Sequence, residues 1–176
     1  MKPTVSYLGS EGGLCQLGRV LTLQPAVLSL SLESNLKPKI AFLHELGIEG
    51  LGAQLDAYPA LLTLSLEKNL RPTAAAFADA GLLHGERRKA LRPRHLAASL
   101  NSRVLPRLAF CKAHGRKPTL SGVSTVTDAA FCKQVDEDPE NYSRFLKAWQ
   151  RERQSGLQIS WLPEGLDLAK MLLDSG

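Results

Sequence analysis

Prolines and glycines recur along this chain every 34 residues. Pro25, Pro59 and Pro93 form one series, Pro38, Pro72 and Pro106 a second, and Gly13, Gly47, Gly81 and Gly115 a third. The text between them repeats in step: SLESNLKP at 31–38, SLEKNLRP at 65–72 and SLNSRVLP at 99–106. A fixed period of this length means a stack of small supersecondary units rather than one globular core. A stacked array is usually a binding surface, so the period bears on function before any catalytic motif is sought.

Leu dominates and aromatics make up only 6% of the 176 residues, which suits helices packed by aliphatic side chains. The 44% hydrophobic content is enough for one buried core. Apolar runs such as Ala26–Leu32 are too short to span a bilayer. Cys15, Cys111 and Cys132 are odd in number, far apart and lack a CxxC spacing, so each reads as a small buried hydrophobe rather than part of a disulfide framework. The opening MKPTVSYLGSEGG has neither an apolar core nor an Arg-rich amphipathic pattern, and does not read as a signal or transit peptide.

Residues 25–58 show one unit most clearly. Pro25 suits a first helical position, and Leu28 and Leu32 lie four apart on one face. The residue before a proline disfavours the α conformation, so Lys37–Pro38 predicts a break between two helices. Pro38 then opens a second helix with Ile40, Phe42, Leu43 and Leu46 at helical spacing. Gly47 falls where a C′ residue of positive φ belongs. The connecting IEGLGAQLDAY predicts only a short helical turn, because Gly50 and Gly52 disfavour a long one. Its third copy, HGERRKALR, replaces apolar residues by charge. Further on, Ser124–Thr125 or Thr127 is placed to cap a helix running DAAFCKQV. Asp138–Pro139–Glu140 opens another, with Tyr142, Phe145, Leu146 and Trp149 at i, i+3, i+4 and i+7, a helix that closes the last hydrophobic face. The expected architecture is all-α, a helical-repeat solenoid over residues 4–150 with its capping helix near 139–150. A short extension follows over 151–176, where LPEGLDLAKMLLDSG predicts one more short helix. The residues leave the hand of the solenoid open.

The units YPALLTLSLEKNLRPTAAAFADAGL and QPAVLSLSLESNLKPKIAFLHELGI carry a pattern of P-x-h-L, leucines, then L-x-P-x-h-x-F-L-x-x-L-G-h. In this the chain resembles the mitochondrial transcription termination factor (mTERF) family of organelles. The stretch RVLPRLAFCKAHG followed by LSGVSTVTDAAFCKQV is similar to the last repeats of plant and algal members. The resemblance covers roughly residues 4–150. It implies a left-handed superhelix of repeats, each two helices and a short 3₁₀-like helix. It also implies nucleic-acid binding on a basic groove in a mitochondrion or chloroplast, in transcriptional roadblock, RNA splicing or ribosome assembly. The chain departs from the family in having fewer repeats and no targeting leader.

The charge pattern points the same way. Residues 1–83 hold six Lys/Arg and seven acids, residues 84–117 ten and one, and residues 118–176 six and nine. One segment therefore holds the whole positive excess, which predicts a polyanionic partner. Its cations are Arg87, Arg88, Lys89, Arg92, Arg94, Arg103, Arg107, Lys112, Arg116 and Lys117. Lys37 and Arg71 immediately precede their prolines one repeat apart and add to a predicted track, with Lys39 beside them. Phosphate contacts from about six such side chains give a slope of log K on log salt near −5. Tyr58, Phe42 and Phe110 fall on helical core spacing and read as packing residues, so the residues favour double-stranded DNA over base stacking on single strands, while the family allows RNA.

No constellation points to catalysis, a metal or a cofactor. His44, His84, His95 and His114 have no metal-ligand spacing; Cys111 and His114 are a lone i, i+3 pair; and neither SGVS nor GSEGG has the lysine of a phosphate loop. The sequence therefore predicts a monomeric, non-enzymatic binder of double-stranded DNA away from membranes. The second reading is an RNA-binding or scaffold factor with a protein partner in the organellar gene-expression machinery.

Overall fold

The computed structural model describes residues 2–154, and the expected helix in the final 15-residue stretch lies outside them. The described residues form helices and turns with no strand. None of their helices is long and apolar enough to cross a membrane.

Two helices and a 3₁₀ turn make up the repeat, but the prolines divide them differently from the sequence expectation. Pro25 and Pro59 open 3₁₀ turns, Pro25–Ser29 and Pro59–Thr63, not α-helices. The long helix begins after them, at a serine. Ser31 caps it, its side chain accepting from the Ser34 N–H at 3.2 Å, and Ser65 and Ser99 repeat the cap for Lys68 and Ser102. The predicted break before Pro38 is absent. Instead a π turn, Leu32–Leu36, runs directly into an α-helix, Lys37–Glu45. A proline inside an α-helix lacks its N–H and crowds the carbonyl four residues back. The wider turn, closed by Leu36 N–H to Ser31 C=O at 3.1 Å, relieves that crowding. The same junction precedes Pro72 and Pro106.

The connecting segments are α-helical in the first two copies, Leu17–Leu23 and Leu51–Ala57. Gly52 explains its own presence in the second. A Cβ there would stand 1.9 Å from the Gly13 carbonyl oxygen, so the backbones touch where no side chain fits. In the third copy the charged sequence gives a 3₁₀ helix, Gly85–Ala90, and Pro93–Leu96 becomes the short α-helix. The glycine series behaves as the C′ reading requires, with φ of +65°, +69°, +68° and +62° at Gly13, Gly47, Gly81 and Gly115.

The chain forms two compact units. Among the described residues the first is 2–71 with 83–97, the second 72–82 with 98–154. The first has a leucine core that includes the fully buried Leu8, Leu36, Leu43, Leu55, Leu62 and Leu96. One carboxylate is buried with it: Asp56 accepts from the Cys15 and Gln16 N–H groups at 2.9 and 3.1 Å, where the helix Leu17–Leu23 starts. The second unit centres on aromatics. Phe110 lies edge-on to Phe131, Tyr142 and Phe145 at 6.1, 5.1 and 5.2 Å, with Cys111 and Cys132 buried among them. We label its helices αA (Leu105–Ala113), αB (Leu120–Ser124), αC (Asp128–Gln134) and αD (Pro139–Gln154). Thr127 caps αC and Asp138 accepts from the Glu140 N–H as αD starts. Tyr142 and Trp149 of αD are 2% exposed, and αD runs four residues beyond the expected end at 150. Cys15, expected inside, is exposed.

Candidate nucleic-acid interface

Lys37 and Arg71 occupy the same place one repeat apart, just after a π turn. Each pairs with the glutamate four residues back, Lys37 with Glu33 at 2.7 Å and Arg71 with Glu67 at 3.0 Å. Each also stands over an aromatic ring about one repeat back in the chain, Tyr7 at 5.8 Å and Phe42 at 4.9 Å. The hydrogen bond to Glu33 raises the Lys37 pKa. Exposed i, i+4 pairs of this kind are weak and screened by salt, so a phosphate can compete for both cations while the rings hold their side chains in place.

The densest cationic stretch is 87–94, and its members do different work. Arg88 donates from Nε to the Leu46 carbonyl at 2.7 Å and from Nη2 to that of Glu45. It thereby caps the C-terminal carbonyls of Lys37–Glu45, where a cation complements the helix dipole. Arg92 donates to the Lys89 and Leu91 carbonyls at 2.6 and 2.8 Å and is half-buried. His95 holds the same corner from inside: its Nδ1 accepts from the Arg92 N–H at 3.1 Å, and burial pushes its pKa down to about 4. Arg87, Lys89 and Arg94 are exposed; Lys89 pairs with exposed Glu86, at 2.9 Å.

In the second unit Arg103, Lys112 and Lys117 are exposed. Arg116 is turned onto Glu137, 2.9 Å from Oε1, and onto the Asp136 carbonyl. That contact and a hydrogen bond from Asn141 lower the Glu137 pKa. Arg107 is not at the surface at all. It is fully buried, donating to the Gly122 and Val126 carbonyls at 2.7 and 3.0 Å and to Asp128 at 2.6 Å, with its guanidinium over the Phe131 ring. In this arrangement it ties αA to αB and αC and offers nothing to a phosphate. Lys39, one residue past its proline like Arg107, is likewise buried. Its ammonium donates to the Asn35 Oδ1 at 2.8 Å and the Leu62 carbonyl at 2.5 Å, and burial holds its pKa down to about 8. The signal was present in the register: positions 39, 73 and 107 are equivalent, and a helical position facing the core in one copy faces it in all.

Tyr58 also departs from the expectation, being 38% exposed at the end of Leu51–Ala57. His114 lies tilted against Phe110, ring centres 4.2 Å apart, and 3.5 Å from Glu137. Among the described residues no group of three or more His, Cys, Asp or Glu is arranged to hold a metal ion.

The family model of mTERF matches residues 5–92, half of the chain. The chain belongs to the mTERF family. The matched span includes the first two full repeats and most of the cationic loop at 87–94, and ends before Pro106. mTERF proteins are organellar, nucleic-acid-binding factors tied to transcription. No curated protein and no solved structure matches the chain in the corresponding comparisons.

Proposed function

We propose that this mTERF protein binds double-stranded DNA in a mitochondrion or chloroplast and obstructs transcription as a steric and electrostatic roadblock. Its repeat domain over 4–150 would supply the contact, and it would act without covalent chemistry. The observation that supports this reading is the set of exposed cations in the basic segment other than Arg88, which is turned onto the Leu46 and Glu45 carbonyls: Arg87, Lys89, Arg94, Arg103, Lys112 and Lys117. Arg103 among them also donates to the Ser124 carbonyl at 3.4 Å, and Lys37 and Arg71 extend the set. Contacts of this kind position a duplex through its phosphates and do not read sequence. The test is a salt titration of binding to random-sequence duplex DNA, single-stranded DNA and duplex RNA. Tightest binding to duplex DNA is expected, with the basic segment contributing about −5 to the slope through about six phosphate contacts. A preference for RNA would move the function to RNA processing or ribosome assembly, and no binding at low salt would leave the scaffold reading.

A further inference from the structure

The net charge of residues 118–176 conceals a local positive surface. The acids fall at Asp128, at Asp136 to Glu140, and at Glu164, Asp167 and Asp174, whereas αD itself carries Arg144, Lys147, Arg151 and Arg153 against Glu140 and Glu152. Helical geometry sorts them. Tyr142, Phe145, Leu146 and Trp149 face the aromatic core, and Arg153 on that side reaches the Asn101 Oδ1 at 3.1 Å. Arg144, Lys147 and Arg151 stand at i, i+3 and i+7, so they share one face, and all three are exposed. They span about 10 Å along the axis at ~1.5 Å per residue. Glu140 lies one turn before Arg144, and no ion pair joins them among the described residues.

We infer that the outer face of αD is a second phosphate-contacting surface, carried by Arg144, Lys147 and Arg151. The inference rests on the nucleic-acid reading above and adds to it a surface beyond both the family match and the basic segment. Its composition favours a nucleic-acid backbone over a protein. Flanking the cations lie Ser143, Ala148 and Gln150, all exposed, and the face offers no aromatic or large aliphatic anchor of the sort that carries protein interfaces. A row of cations with nothing to stack on a base suits sequence-independent phosphate contact. The core-facing aromatics hold the helix that carries the row.

The experiment compares the full chain with the triple variant R144Q/K147Q/R151Q, and with the control R19Q/K68Q/K133Q, which removes three exposed cations elsewhere. Binding to random-sequence duplex DNA, single-stranded DNA and duplex RNA is followed by fluorescence anisotropy over a salt series, with circular dichroism to confirm equal helix content. The expected result is a salt slope flatter by about 2 to 3 in the αD variant, at ~0.9 per phosphate contact, and a smaller change in the control. Equal slopes in the αD variant and the control, with the parent chain still binding, would overturn the αD surface and leave the proposed function standing. Failure of the parent chain to bind any nucleic acid, with capture of polyglutamate, would overturn both and assign the stripe to an acidic protein.

Discussion

Lys39, Thr73 and Arg107 share one position of the repeat, and all three are buried. The cations survive there because each donates to backbone carbonyls, which compensates part of the desolvation. Thr73 is shorter, and its hydroxyl finds no partner among the described residues. Replacing Thr73 by Val keeps the shape and removes the unpaired hydroxyl, so thermal unfolding of T73V is expected at or above the parent temperature. Lys39 gives a sharper test. Its folded pKa of about 8 lies below the ordinary 10.5, so across that window the unfolded chain binds more protons and stability rises with pH. Urea unfolding between neutral and alkaline pH should show this rise, and K39M should flatten it; an unchanged pH slope in K39M would show that Lys39 is not desolvated. From a single copy, K-P-K and L-P-R look alike as surface charge. Aligning the copies separates them, because Lys37 and Arg71 sit two residues before a core-facing position and Lys39 and Arg107 sit on it.

At the scale of the element, the period and the glycines were legible and the helix boundaries were not. Positive φ at a C′ residue is a local steric demand, and Gly meets it almost alone, so the sequence marks it plainly. The Lys37–Pro38 junction was misread because a proline signals only that an ordinary α turn cannot continue. It does not say whether the chain breaks or widens, and here the π turn and the serine cap keep the helix going. Gly52 was misread for a similar reason: its role is set by Gly13, 39 residues away, which no local rule reaches. The two kinds of glycine predict different penalties. A Cβ on Gly81 meets nothing within 4 Å, so G81A pays only for φ of +68°, roughly 1 kcal/mol. In G52A the Cβ collides with backbone, and the packing of Leu51–Ala57 must open. Chemical denaturation should therefore rank G52A well below G81A, with G81A below the parent. Equal losses would mean that the Gly13–Gly52 approach does not hold in solution.

For the whole molecule, the charge that composition assigns to a partner is partly taken up by the chain's own groups. Ten cations and one acid in residues 84–117 suggest a uniform basic patch. Arg88, Arg92, Arg107 and Arg116 are instead held by the chain's own carbonyls and carboxylates. Sequence reasoning marked the segment because charge density is a property of composition. It could not divide the segment, because the division depends on which carbonyls the fold leaves open: those of Glu45 and Leu46 for Arg88, those of Gly122 and Val126 for Arg107. The six exposed cations that remain, of which Arg103 also donates to the Ser124 carbonyl at 3.4 Å, contribute about −5 to the slope at ~0.9 per contact, beside the share of the αD face. Binding and stability should therefore separate between two variants of the same loop. R87Q/K89Q/R94Q is expected to flatten the salt slope by up to about 3 while leaving the unfolding temperature within a degree or so, since exposed charges contribute little to stability. R88Q/R92Q should do the reverse, lowering the unfolding temperature by several degrees through the loss of hydrogen bonds worth about 1 kcal/mol each, with a smaller change in slope. If the slope falls equally in both while neither changes the unfolding temperature, all five cations of the loop act on the ligand and the carbonyl contacts of Arg88 and Arg92 do not persist in solution.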